Sequence, residues 1–274
     1  MKTIIAPTDF SPVSVNSCLY AAKLAEDIKA DLLLFHTMEL PIAVAEYPVT
    51  EDVFDEEGME KELQALKNKL AAATNNKIKI KTKNILGSPE YEIKELTKTA
   101  KPFAVVMGTH SYSTLDRLFL GSTTAYTAKH LNYPVIVVPQ NTSYKAIKKI
   151  ALASDLKNVY DLPASEIEMI VKLFNAELEI FYAGKNENVI NKNAIGSVML
   201  DHRLVRLDPK FYTVEDEDTL RGISALAEKN AIDMLIVTAK KHGPFHKSQS
   251  REFVFYSSVP VMIIHENDLQ TGNK

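Results

Sequence analysis

A glycine-punctuated segment in the first half of the chain carries residue types suited to holding an anion. The apolar run Phe103-Ala104-Val105-Val106-Met107 leads into Gly108-Thr109-His110-Ser111, and after nine further residues comes Gly121-Ser122-Thr123-Thr124. Ala125, Ala128 and Leu131 follow at helical spacing, which puts Ser122 and Thr123 at a helix N-terminus. Free backbone N–H groups and the positive end of the helix dipole favour an anion there. Glycine lets the backbone approach a phosphate closely, and the two hydroxyls can donate to its oxygens. The same residues also satisfy a plain turn and an N-cap. Asp9 follows another short apolar run, Thr3-Ile4-Ile5-Ala6. Its carboxylate can accept hydrogen bonds from an adenine amino group or a ribose, or can cap the helix that begins around Ser11-Pro12. Neither a Walker A motif nor a strand-following G-x-G-x-x-G occurs.

Other chemistry-bearing residues point nowhere as clear. His242 and His246 stand four apart, with His202 and His265 in the same half, but Gly243-Pro244 between the first two breaks helical i, i+4 geometry. They read as polar loop histidines rather than zinc ligands, and no metal site is expected. The acidic stretch from Glu51 to Glu57 reads as a solvated helix start rather than a cation site. Cys18, the sole cysteine, sits among apolar helix positions as a buried small residue and leaves no intrachain disulfide. There is no G-x-S-x-G elbow, and no acidic pair or lysine stands at the expected phosphate end to hold Mg²⁺. No constellation demands catalysis, so a protein that is not an enzyme is expected.

The elements that must position these residues are those of an α/β protein. The chain has 274 residues, 46% hydrophobic and 24% charged, with a formal net charge of −3. That excludes disordered and fibrous classes, and the bulk charge does not suggest a nucleic-acid or membrane-surface binder. The first residues contain Pro7 and Asp9 too early for a signal-peptide core, and no apolar run is long enough to span a membrane. A cytoplasmic protein is the expectation. Leu32-Leu33-Leu34-Phe35-His36 and Phe103–Met107 lack polar alternation, as strands covered on both faces do. Ile78, Ile80 and Thr82 alternate with lysines, which suggests an edge strand with one wet side. Residues 59–73 carry Leu63, Leu66 and Leu70 at helical spacing, Ser88-Pro89-Glu90 starts another helix, and Pro134–Pro139 closes the unit.

The same order recurs. Ile150–Asp155 echoes Thr3–Asp9, Leu178–Phe181 answers the second strand, Met234–Val237 the fourth, and Val259–Ile264 matches Tyr133–Val138. Asp9 and Asp155 are 146 residues apart, Val106 and Val237 131, and Pro134 and Pro260 126. The second copy is therefore shortened by fifteen residues before its fourth strand and five after it. Gln140 to Lys145 is the linker, giving domains 1–140 and 141–274. After its fourth strand the second copy runs Thr238-Ala239-Lys240-Lys241-His242-Gly243 with no Gly-Ser pair before its helix, so no phosphate loop is expected there. Lys240, Lys241, Lys247 and Arg251 form a basic rim, read as a solvated loop or a site for another anion.

Asp9 after a strand, the Gly108…Gly121-Ser122 spacing and the terminal Val-Ile-Val-Val strand together resemble the universal stress protein family. ATP-binding members of that family carry G-x2-G-x9-G-(S/T) after the fourth strand. Here Ser111 stands in the place of the middle glycine. The resemblance implies two tandem Rossmann-like (HUP-type) domains, each an open five-stranded parallel sheet in the order 3-2-1-4-5 flanked by helices. It implies ATP, with Mg²⁺, as ligand: adenine near Asp9 and the backbone of Thr37, ribose and α-phosphate near Gly108 and His110, outer phosphates on Gly121, Ser122 and Thr123. Pro7, Met107 and Ser111 complete the expected cofactor-binding set. It further implies that the copies pair through their fifth strands, Pro134–Val138 and Pro260–Ile264, with a homodimer as an option. The implied role is regulatory, in a stress response. The rival readings are an interaction module whose loop is closed by Ser111 and a slow ATPase.

Overall fold

The structure, a computed structural model, describes residues 2–38, 55–109, 122–154, 162–182, 201–214, 218–239 and 257–265. Within them the chain divides into two compact units that part between Tyr144 and Lys145. The first unit runs β1 (Thr3–Pro7), α1 (Pro12–Asp27), β2 (Asp31–Met38), α2 (Glu56–Ala73), β3 (Ile80–Leu86), α3 (Pro89–Ala100), β4 (Ala104–Thr109), α4 (Ser122–His130) and β5 (Val135–Pro139). Its strands are parallel in the order β3-β2-β1-β4-β5. Ile4 pairs with Leu32 on one side and Ala104 on the other. The connections leave β1 and β4 in opposite directions, so their carboxyl ends flank a crevice where the strand order reverses.

Local chemistry explains how the elements reach that crevice. Ile4, Ile5, Ala104, Val105 and Val106 are fully buried, as strands covered on both faces must be. Ser11 caps α1 by accepting from the Ser14 N–H, and Pro12 occupies the first turn. Helix α1 buries Cys18, Ala21, Ala22 and Ala25, small side chains that let it lie close on β1 and β4. The closest approach is at Gly108, where a Cβ would stand 2.6 Å from Val13 Cγ1 and 2.8 Å from the Val13 carbonyl oxygen. On β3, Ile80 is buried while Lys81 and Lys83 are exposed, and the strand is the last of its unit's order. Helix α2 begins three residues before the sequence suggests. Asp55 caps it by accepting from the Gly58 N–H, and Glu56 and Glu57 sit in its first turn, where the dipole favours acids. Of the acidic stretch, Glu51 to Phe54 lie outside the described residues.

The second unit runs β6 (Lys149–Ser154), α5 (Ala164–Phe174), β7 (Glu177–Tyr182), α6 (His202–Val205), β8 (Lys210–Thr213), α7 (Thr219–Lys229), β9 (Met234–Ala239) and β10 (Val261–His265). Its strands are parallel in the order β8-β7-β6-β9-β10, the arrangement of the first unit. The α/β class with a parallel sheet flanked by helices, read from the apolar runs, is the fold observed. Among the described residues between β7 and β9, α6 has 4 residues, and β8 has 4 against 7 in β3. Glu179, 1% exposed, is the one buried acid of this sheet among the described residues. Asn230 Nδ2 donates to its Oε2 at 2.6 Å, Lys149 Nζ donates to the Asn230 carbonyl at 3.1 Å, and Asp233 Oδ2 accepts from the Lys148 and Lys149 N–H groups. These bonds tie the end of α7 to the sheet. No helix among the described residues is long and apolar enough to cross a membrane.

Candidate functional site

The carboxyl ends of β1, β2 and β4 and the N-termini of α1, α3 and α4 enclose a cleft of about 470 Å³. Pro7, Asp9, Thr37, Met107, Gly108, Ser122 and Thr123 all line it. His110, Ser111 and Gly121 lie outside the described residues, as do Asp155, the basic rim from Lys240 to Arg251, and the pair His242 and His246.

The turn from β1 to α1 is built by its own hydrogen bonds. The Thr8 N–H donates to the Phe35 carbonyl at 2.9 Å, fixing the turn to β2. Phe10 adopts a left-handed conformation, φ 62°, held by its N–H donating to Thr8 Oγ1 at 3.0 Å. Asp9 Oδ1 accepts from the Ser11 N–H at 3.0 Å and from Ser11 Oγ at 2.6 Å. Asp9 therefore does not cap α1. Ser11 does, and Asp9 orients Ser11. Partial burial pushes the Asp9 carboxyl upward, but donation from the Ser11 and Ser14 hydroxyls and the Ser11 N–H outweighs it, leaving the group below the ordinary carboxylate value. Asp9 thus faces the cleft as an ionised acceptor at neutral pH.

His36 was not picked out by spacing, yet it lines the cleft. Its Nδ1 lies 2.7 Å from the Thr8 carbonyl oxygen. A carbonyl only accepts, so Nδ1 carries the proton. The ring also rests on Phe10 at 4.6 Å between centroids. At the other end of the cleft, Thr124 Oγ1 donates to the Gly108 carbonyl at 3.3 Å and fastens the first turn of α4 to β4. Thr109, 3% exposed, lines the cleft, and its buried hydroxyl has no partner among the described residues.

Glu90, outside the cleft's lining, meets the first turn of α4. Thr123 Oγ1 donates to Glu90 Oε1 at 3.0 Å, and Ser88 Oγ donates to Glu90 Oε2 at 3.1 Å. The sequence read Ser88-Pro89-Glu90 only as a helix start, which it is: Ser88 caps α3 and Pro89 opens it. Nothing in the local pattern signals that this carboxylate meets a residue 33 positions away.

Elsewhere the candidates resolve simply. Cys18 is fully buried, and burial pushes its thiol up to about 12, so it is no nucleophile at neutral pH. His202 Nδ1 stands 3.4 Å from Asp201 Oδ1 on the first turn of α6. No group of three or more His, Cys, Asp or Glu among the described residues is placed to hold a metal ion.

Comparison with known proteins agrees on one family. Its sequence model, that of the Universal stress protein family, matches residues 1–139. A curated universal stress protein of Methanocaldococcus jannaschii is 32% identical over 143 residues, 50% of this chain and 81% of that protein. A second from the same organism is 28% identical over 166 residues, 52% of this chain and 97% of that protein. Among solved structures, a universal stress protein from Archaeoglobus fulgidus superposes with a TM-score of 0.72 at 17% identity, covering 96% of this chain and 98% of that one. At such identity the likeness is one of fold, and it extends over both units.

Proposed function

Because the chain belongs to the universal stress protein family, we propose that it is an ATP-binding regulatory protein of a cytoplasmic stress response, with one nucleotide site in residues 1–140. The observation that carries this reading is the convergence, in one cleft, of Asp9, Gly108, Ser122 and Thr123, chosen from strand ends and a helix start, with Pro7, Thr37 and Met107, which the family resemblance implies. A cleft of about 470 Å³ falls in the range that holds a nucleotide-sized ligand. Three helix N-termini suit its phosphates. The base belongs near Pro7, Asp9 and the Thr37 backbone. Ribose and first phosphate belong near Met107, Gly108, His110 and Ser111, and the outer phosphates on Gly121, Ser122 and Thr123. The bound nucleotide supplies charge and shape for a regulatory state, and no residue of the cleft is assigned a step in its hydrolysis.

In the same proposal, residues 141–274 are a degenerate copy without a nucleotide, and the two copies pair through Pro134–Val138 and Pro260–Ile264. Calorimetric titration of ATP with Mg²⁺ into the full chain tests the site. Saturable binding near one site per chain, lost in Gly121→Val and weakened roughly tenfold in Asp9→Ala, is the expected outcome. Two sites per chain would overturn the division of roles. Binding absent from the wild type but present in Ser111→Gly would replace this reading with an interaction module. Labelled ATP should show no turnover above the uncatalysed background. Co-expressed segments 1–140 and 141–274 should co-purify, and separate elution would refute the pairing.

A further inference from the structure

Asp9 lies beyond the last residue of β1, yet both peptide groups that flank it are held. Pro7 ends β1 and pairs with Phe35, so His36 on β2 stands beside the turn that follows. On its other side β2 continues against β3, with His36 opposite Asn84, so His36 sits on an interior strand. From there it holds the turn twice. Its Nδ1 donates at 2.7 Å to the Thr8 carbonyl, which is the oxygen of the Thr8–Asp9 peptide group. Its ring rests on Phe10, with centroids 4.6 Å apart. Phe10 keeps a left-handed φ of 62°, which costs a bulky residue energy and persists only where its surroundings enforce it. The Phe10 N–H, part of the Asp9–Phe10 peptide group, donates to Thr8 Oγ1 at 3.0 Å.

We propose that His36 is the positioning residue for Asp9: by gripping Thr8 and Phe10 it sets where the carboxylate stands in the wall of the cleft, and so how tightly a ligand that meets this carboxylate is bound. The consequence for a ligand rests on the nucleotide reading, whereas the hold on Asp9 is independent of it. His36 needs no contact of its own with the ligand, because it acts through the turn. The hydrogen bond fixes a direction and the ring contact does not, so the Nδ1 donor carries most of the effect. Two substitutions separate the holds. His36→Phe keeps a ring against Phe10 and removes the donor, and His36→Asn keeps a side-chain N–H close to the place of Nδ1 and removes the ring.

The experiment has a ligand-free arm and a nucleotide arm, both on the full chain. In the first, the Asp9 carboxyl carbon is followed by NMR as pH falls. Burial raises this carboxyl and the Ser11 and Ser14 donors outweigh it, so wild type should titrate below the ordinary carboxylate value. His36→Phe should move the titration up toward that value, and His36→Asn should leave it near wild type. An Asp9 titration unmoved in His36→Phe overturns the proposal whether or not ATP binds. In the second arm, ATP with Mg²⁺ is titrated calorimetrically into wild type, both His36 variants, Asp9→Ala, and Asp9→Ala combined with His36→Phe. His36→Phe should bind roughly tenfold more weakly than wild type, and His36→Asn within about threefold of it. Against Asp9→Ala, adding His36→Phe should weaken binding less than about twofold, because the group it positions is gone. Full affinity in His36→Phe, or an undiminished tenfold loss on top of Asp9→Ala, overturns the proposal. So does a tenfold loss in His36→Asn, which decides the matter even if His36→Phe fails to fold. Absence of ATP binding to wild type refutes the nucleotide reading instead, and the Asp9 titration then upholds or overturns the hold of His36 on Asp9 by itself.

Discussion

Asp9 joins the turn chemistry to the proposed ligand chemistry. Its carboxyl lies below its ordinary value of 3.8 in the folded chain because the serine donors outweigh its burial. A depressed folded-state pKa contributes stability that is present above the unfolded value and is lost as pH falls through the folded one. Thermal melts of wild type and Asp9→Asn should therefore differ most above pH 3.8 and converge below it. A constant difference down to the acid limit would show that the carboxylate contributes nothing by its charge. Ser11→Ala removes both the α1 cap and the donor to Asp9, and should cost about 1 kcal/mol in urea unfolding. At this scale the sequence was legible where a residue follows a strand or opens a helix, which is why Asp9, Ser122 and Thr123 could be chosen, while Thr37 and Met107 came from the family resemblance. It was not legible for Glu90 or His36. Glu90 matters because α3 and α4 start side by side, and His36 because β2 ends beside the Thr8 carbonyl, and neither proximity leaves a mark in local spacing.

Gly108 shows how an element decides what a residue is for. Gly108 lines the cleft, and the structure also puts α1 against it. Gly108→Ala should destabilise the first unit by about 1–3 kcal/mol in denaturant unfolding, since one of the two clashing atoms is the Val13 carbonyl oxygen, which cannot swing aside. Val13→Ala should rescue only part of that loss, and a full rescue would place the conflict in the side chain alone. In the second unit, Asn230→Ala withdraws the amide from the buried Glu179 carboxylate and should cost about 2 kcal/mol or more. An unchanged unfolding midpoint would mean that Glu179 is otherwise satisfied. Long apolar strands and capped helices were readable because period and caps agree. Strand β8 was not, because its four residues are exposed or half-buried and lack the apolar run that marks its neighbours.

On the scale of the whole molecule, duplication was visible as a repeated strand order, and both units adopt the same parallel arrangement. The second copy keeps that order with a β8 of 4 residues where β3 has 7. If nucleotide occupies the first unit alone, ATP with Mg²⁺ at about a hundred times Kd adds about 2.7 kcal/mol to its stability. Hydrogen exchange should then slow in α1, β4 and α4 while β6, β7 and β9 keep their rates, and protection in those three strands would move a site into the second unit. The hydrogen-bonded turn around Asp9 also has a consequence in time. Thr8, Phe10, Ser11 and Ser14 already complete that turn from within the chain, so at the turn proposed to meet the base the Asp9 acceptor is held in place before any ligand arrives. Related nucleotides should associate at similar speeds, and the chain should tell them apart by how long each one stays.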